Sequence, residues 1–160
     1  MRVLIISDTH GKHENLEKVL EIEDSFDRAF HLGDAQVTKQ ELESLIGCPV
    51  DVVAGNMDFR SEAPSEKLVE IEDYTVFLCH GHRYHVNETL LTLEYAARSK
   101  GADVALYGHT HVPFLDESED LWIMNPGSLS EPRPWKASPS YGVLTIDEMG
   151  EISLEHRYLE

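Results

Sequence analysis

Seven potential metal ligands fall in five short blocks of the sequence: Asp8 and His10 in SDTH, Asp34 after Gly33, Asn56 in GNMD, His80 in CHGH, and His109 and His111 in GHTH. The donors are imidazole nitrogens, carboxylate oxygens and one amide oxygen, with no thiolate. Such a set suits Mn, Fe, Co, Ni or Zn, and suits a closed cysteine-type structural zinc poorly. Seven protein donors are too many for one ion but fit two ions that share a bridging carboxylate. Two ions about 3.5–4 Å apart can clamp a phosphoryl group and activate a bridging water. Taken singly, each block has a plainer reading: Gly33-Asp34 as a turn, GHTH as a strand with a core histidine, Asn56 as a turn former after Gly55. Their weight comes from occurring together.

Each block follows, or nearly follows, a short apolar run. Arg2 to Ser7 carries Val-Leu-Ile-Ile, a buried-strand signature. Phe26 to His31 and Pro49 to Ala54 are expected as further strands, with helices at His13 to Ile22 and Thr38 to Ile46. Thr38 and Glu41 stand in capping-box register. Lys67 to Ile71 and Tyr74 to Cys79 flank Glu72-Asp73 as a hairpin. Asn87 to Lys100 reads as a helix with Asn87 as N-cap and Gly101 as its stop. Asp103 to Tyr107, Val112 to Leu115, Leu121 to Met124, Tyr141 to Ile146 and Ile152 to Tyr158 complete the strands. Strand–helix alternation followed by hairpins predicts an α/β fold in which two sheets pack face to face with helices outside. In an extended segment, residues two apart face the same side. Asp8 with His10, and His109 with His111, are therefore expected to aim at one centre. Asp34, Asn56 and His80 are expected singly beyond strand ends, where ligands bind in open α/β sheets.

A chain of 160 residues is expected to form one domain, residues 1–160. Thirty Asp and Glu against 13 Lys and Arg give a net charge of −17, which favours solubility and argues against a long nucleic-acid groove. Adaptation to high salt is a sharper reading of the same charge. No apolar run reaches membrane-spanning length, and Val3 to Ile6 is too short for a secretory segment, so a cytoplasmic location is expected. Two divalent ions would leave the site locally positive and attract a small phosphate ester. Cys79 is expected to be buried and inert. His31 reads as a core histidine or one supporting the ligands. His13, His82 and His85 read as pocket or surface residues, and His156 as exposed. Ser130 to Ser140 reads as a surface loop or as a rim over the site.

Together, D8-T-H10, G33-D34, G55-N56-M57-D58, H80-G81-H82 and G108-H109-T110-H111 resemble the calcineurin-like metallophosphoesterase superfamily. HGHRY (His80 to Tyr84) and NPGS (Asn125 to Ser128) followed by Pro132-Arg133 are similar to small phosphodiesterases of the YfcE type. The resemblance runs to about Leu144. It implies a four-layer α-β-β-α sandwich of two mixed sheets flanked by helices. It also implies that Asp8, His10 and His111 hold one metal, that Asn56, His80 and His109 hold the other, and that Asp34 bridges them. The expected cofactor is two divalent ions, manganese favoured, with Ni, Zn, Fe, Co or Mg as alternatives. The expected reaction is hydrolysis of a small phosphodiester by a metal-bridging hydroxide, with Asn56 stabilising charge and Asp58 orienting its neighbours. Arg83, Asn125 and Ser128 are candidate substrate contacts. Many superfamily members carry histidine, a proton donor to the leaving group, where this chain has Met57. The rivals are a phosphomonoesterase, a pyrophosphohydrolase, or a non-catalytic protein-binding scaffold of the same fold. A homo-oligomer is also compatible with the resemblance.

Overall fold

Alternation within the first strand lays out the layers. In β1 (Arg2–Ile6), Val3 and Ile5 enter one apolar cluster while Leu4 and Ile6 enter another. The first cluster also contains Val76, Leu78, Val104 and Leu106 of a second sheet, so it is the core between sheets. The other joins β1 to Leu16, Val19 and Leu42 of two helices. Each aliphatic side chain fully withdrawn from water here contributes about 1.5–3 kcal/mol. A computed structural model describes residues 1–160.

The chain runs β1, α1 (Glu14–Ile22), β2 (Arg28–His31), α2 (Lys39–Ile46), β3 (Val50–Val52), then β4 (Glu66–Ile71) and β5 (Tyr74–Cys79) as a hairpin. A 3-10 turn (His82–Tyr84) leads to α3 (Leu91–Ser99) and β6 (Val104–Leu106). Two antiparallel pairs follow, β7 (Phe114–Glu117) with β8 (Trp122–Asn125), and β9 (Ser140–Ile146) with β10 (Ile152–Tyr158). The sheets are mixed and five-stranded, in the orders β10-β9-β1-β2-β3 and β4-β5-β6-β8-β7. A third cluster, including Phe77, Leu93, Ala97 and Ala105, seats α3 on the outer face of the second sheet. Helix, sheet, sheet and helix thus form the four expected layers.

Local signals explain most helix ends. Thr38 accepts the Glu41 N–H at 3.1 Å, and Gly47 closes α2 at φ 82°. Only this half of the capping box is formed. Gly101, at φ 71°, ends α3 with paired bonds from Gly101 N to Arg98 O and Ala102 N to Ala97 O, the arrangement a left-handed glycine permits. The start of α3 departs from expectation. Asn87 is exposed and caps nothing; instead His85 turns left-handed (φ 54°) and the adjoining Val86 is buried in the third cluster. That anchor delays the helix to Leu91, whose N–H is taken by Thr89 Oγ1 at 3.2 Å. The strand expected at Val112 to Leu115 begins at Phe114 instead. No helix is long and apolar enough to cross a membrane.

Candidate metal centre

The five blocks follow β1, β2, β3, β5 and β6. Backbone bonds stitch their loops together: Asp8 N to Gly33 O at 3.0 Å, His10 N to Asp34 O at 2.8 Å, and Gly108 N to His80 O at 2.9 Å. The paired ligands do not lie in extended backbone, which corrects the alternation argument. Asp8, His10, Asp34, His109 and His111 all have left-handed backbone, with φ of 56°, 49°, 55°, 71° and 61°. A non-glycine residue held this way costs about 1–3 kcal/mol and persists only where its surroundings dictate it.

All seven side chains converge. His10 Nε2 lies 4.0 Å from Asp8 Oδ1, and His111 Nε2 lies 3.2 Å from the same oxygen. His80 Nε2 lies 3.3 Å from Asp34 Oδ2 and 3.7 Å from Asp8 Oδ1. Asn56 Oδ1 lies 3.0 Å from His80 Nε2 and 3.1 Å from His109 Nδ1. Asp8, His10 and His111 form one cluster able to hold a cation, and Asp8, Asp34 and His80 another. Two unpartnered atoms test the fit. Asp8 Oδ1 and His10 Nε2 are buried without any hydrogen bond, which is costly unless a cation meets them.

The ring nitrogens facing away are engaged. His80 Nδ1 donates to Leu32 O at 2.7 Å, His111 Nδ1 to Glu131 O at 2.7 Å, and His10 Nδ1 to Gln36 Oε1 at 2.9 Å. This leaves each Nε2 lone pair aimed inward, as a metal site requires. Burial pushes the Asp34 carboxyl up, but the His80 ring beside it more than offsets this and holds it at about 2. Burial likewise opposes charge on His80, yet Asp34 and Asp8 raise it. Two buried carboxylates thus call for positive charge at this spot, and a bound cation would supply it.

Supporting residues hold these loops. Asp58 Oδ2 accepts from Asp34 N and Gly55 N, both at 2.8 Å, and Oδ1 accepts from Gln36 N at 2.9 Å. His31 is fully buried; Gly33 N donates to its Nδ1, so Nε2 donates to Thr9 Oγ1 at 2.9 Å. Burial lowers its pKa to about 4 and keeps it neutral. Asn125 donates to Gly108 O and Thr110 Oγ1 and accepts from Gly127 N. Ser128 and Ser130 both donate to Asp8 O, at 2.8 and 2.9 Å. Motif glycines leave room: a Cβ on Gly55 would sit 2.2 Å from Asp34 Oδ1, and one on Gly108 2.0 Å from Ser7 Oγ.

Arg83 is exposed on the 3-10 turn, without an ion-pair partner. His82 lies beside the centre, its ring 5.4 Å from His80 and 6.0 Å from His109. His85 is exposed and His13 half-buried. His156, expected at the surface, is half-buried and bonds Asn125 O at 2.6 Å across the two sheets. Cys79 is buried, and burial pushes its thiol up. Sequence reasoning missed Gln36, Ser7, Ser130 and Glu131. Glu131 Oε2 lies 3.8 Å from His10 Nε2, so the start of the Ser130 to Ser140 loop is a rim of the centre. Gln36 carries no sequence signal beyond its place two residues past Asp34.

A family model described as a calcineurin-like phosphoesterase superfamily domain matches residues 1–149. A probable metallophosphoesterase of Methanothermobacter thermautotrophicus is 40% identical over 154 residues, covering 92% of this chain and 87% of the relative. Phosphodiesterase MJ0936 of Methanocaldococcus jannaschii is 31% identical, with 97% and 100% covered. Phosphodiesterase YfcE of Escherichia coli is 29% identical, with 96% and 92% covered. Among solved structures, a predicted phosphoesterase of Streptococcus pneumoniae superposes with a TM-score of 0.82 at 29% identity, covering 98% of this chain and 88% of that one. Vps29 of Entamoeba histolytica complexed with zinc reaches 0.77 at 20% identity, with 99% of each covered, which is a likeness of fold. With the family match spanning nearly the whole length and the same layered fold in its neighbours, the chain belongs to the calcineurin-like phosphoesterase superfamily.

Proposed function

We propose that this chain, acting as one domain over residues 1–160, hydrolyses a small phosphodiester at a centre of two divalent ions. One observation carries the reading: Asp34 Oδ2 lies 3.9 Å from His10 Nε2 and 3.3 Å from His80 Nε2, so a single carboxylate faces both donor clusters. In this reading Asp8, His10 and His111 hold one ion, Asn56, His80 and His109 hold the other, and Asp34 is shared. Manganese is favoured because carboxylate oxygens sit between the clusters. When bound, the ions supply a polarised phosphoryl oxygen and a water of lowered pKa.

The remaining work falls to the protein. Asn56 turns Oδ1 toward His80 and His109, which leaves its Nδ2 to donate to the phosphoryl oxygen that gains charge. Asp58 fixes the Asp34 and Gly55 backbone and does not react. Arg83 has no carboxylate partner and is free to meet a phosphate oxygen. Asn125 and Ser128, fully engaged with the loops, position ligands rather than touch substrate. Met57 offers no proton, so diesters with good leaving groups are favoured. Relatives named phosphodiesterases support a diester over a monoester or pyrophosphate.

The test is hydrolysis of bis(4-nitrophenyl) phosphate, 4-nitrophenyl phosphate and pyrophosphate by protein stripped of metal and reloaded with manganese. The diester should be cleaved fastest. Asp34→Asn should lower both metal content and rate, the rate by more than about a hundredfold, since losing even an outer-shell partner costs 10–100-fold. A reloaded protein that cleaves none of the three, with partner binding indifferent to Asp34→Asn, would establish the scaffold instead.

A further inference from the structure

A cavity of about 860 Å³ opens beside the centre, between the start of α2 and the segment from Met57 to Pro64. Its size falls within the range of about 300–1,000 Å³ usual for small-molecule sites. Three lining residues tie it to the candidate ligands. The Met57 N–H donates to Asp34 Oδ1 at 2.8 Å, Gln36 bonds His10, and Asp58 holds the Asp34 backbone. The cavity thus borders the residues that hold Asp34 and His10, on the side of Asp34 that Met57 occupies.

The lining has two features that a bare phosphate site would not need. Phe59 is 81% exposed and Met57 39% exposed, although both are large and apolar. An exposed aromatic ring and a flexible thioether lining one cavity suit a flat ring system. The second feature is charge. Lys39 and Arg60 line the cavity and have no carboxylate partner, even though Glu41 and Glu62 line it too. The other cation, Lys67, is already bound to Asp51 at 2.6 Å, and Asp58 is occupied by backbone N–H groups. Elsewhere most cations of this acidic chain are paired. Those left without a carboxylate are Lys18, Lys39, Arg60, Arg83, Arg133 and Lys136. Of these, Arg83 lies three residues past His80, and Arg133 donates its backbone N–H to His111 O at 3.1 Å. Of the six, two line the cavity, one follows His80 closely in sequence and one is tied to His111 through its backbone, in a chain whose net charge is −17.

We infer that this cavity is a second subsite, and that it takes an ester arm built like a nucleotide, an aromatic ring joined to a further anionic group. Phe59 and Met57 would receive the ring; Arg60 and Lys39 would receive the anion. The inference rests on the phosphodiesterase reading and narrows its substrate class.

Three substrates with the same leaving group separate the two ideas: methyl 4-nitrophenyl phosphate, thymidine 5′-(4-nitrophenyl phosphate), and its 3′-phosphorylated form. With manganese-loaded protein, kcat/KM should rise along the series. The last step should be at least about tenfold, the effect of one hydrogen bond to a charged group. Phe59→Ala should shrink the ratio of the second substrate to the first. Arg60→Gln with Lys39→Gln should shrink the ratio of the third to the second. Both changes are on exposed side chains, and an unchanged melting temperature would confirm the fold. Hydrolysis of all three at similar kcat/KM, with ratios unmoved in the variants, would overturn the subsite while leaving the phosphodiesterase reading intact. A gain from the ring alone would overturn the anionic half. No hydrolysis of any of the three would refute the phosphodiesterase reading itself.

Discussion

Asp58 should matter more to metal binding than its distance from the reaction suggests, and two substitutions should separate its two oxygens. Oδ2 takes the Asp34 and Gly55 N–H groups, and Oδ1 takes that of Gln36. Hydrogen bonds to a charged acceptor contribute about 1.5–3 kcal/mol each. The carboxylate is partly exposed, so Asp58→Ala should cost about 3 kcal/mol in total rather than the full sum. That corresponds to a fall in melting temperature of about 6–12 °C for a chain of this size. Both ions should bind more weakly, because Asp34 lies between the clusters. In Asp58→Asn the amide oxygen can still serve Asp34 and Gly55, whereas its NH2 would face the Gln36 N–H. Gln36 Oε1 holds His10 Nδ1 at 2.9 Å. The asparagine variant should therefore weaken the ion at Asp8, His10 and His111 by about 10–100-fold, as outer-shell losses do. The ion at Asn56, His80 and His109 should bind nearly as before. Calorimetric titration of metal-stripped protein with manganese reads both sites. Equal weakening of the two sites in Asp58→Asn, or unchanged affinity in Asp58→Ala, would refute the reasoning.

Gly108→Ala should disable the centre by crowding, because its Cβ would lie 2.0 Å from Ser7 Oγ and 2.7 Å from Asp8 Oδ2. Metal content per chain should drop. Gly11→Ala, with nothing within 4 Å, should cost only about 1 kcal/mol of backbone strain and keep its metal. Stability should fall on the acid side through Glu23. Burial alone would raise its pKa, but Arg157, Tyr141 and Arg2 hold it below the usual value. A depressed carboxylate contributes fully above the unfolded pKa of about 4.3 and loses its contribution as pH falls through the lower folded value. Melting curves of Glu23→Gln from neutral pH to pH 3 should be flatter than those of the unaltered protein; parallel curves would remove Glu23 from the account. Without a histidine at position 57, rates on aryl methyl phosphates should fall steeply as leaving-group pKa rises, since general acid catalysis is worth about 10²–10⁴. A flat dependence with chemistry rate-limiting would show that another group donates the proton.

The succession of strands along the chain could be read from the sequence, and so could the seven residues that the fold brings together, for a common reason. A buried strand announces itself through a local apolar run, and a metal ligand through a residue type that few other roles demand at such spacing. Asp8 after Val-Leu-Ile-Ile, His80 after Val-Phe-Leu-Cys and His109 after Val-Ala-Leu-Tyr each carry both signals at once. The capping of α2 by Thr38 and the stop of α3 at Gly101 are local too, and both formed. The start of α3 was not local. Asn87 had the right chemistry for a cap, but burial of Val86 in the third cluster decided the boundary.

The geometry that turns the ligands into one centre belongs to the tertiary structure alone. Extended backbone was the sequence's simplest way to aim Asp8 with His10, yet both residues are left-handed, their loop held by N–H groups of Asp8, His10 and Gly11 that donate to the carbonyls of Gly33, Asp34 and Ala35. Asp8 is fixed through its carbonyl by Ser128 and Ser130, which lie 120 and 122 residues away in the chain. Glu131 and Gln36 orient His111 and His10 without any motif of their own. The sequence determined which atoms could meet a metal, because that depends on side-chain chemistry. Only the folded chain decided that the loops would close around one point, because strain in five ligand residues must be offset by contacts that form once both sheets are packed.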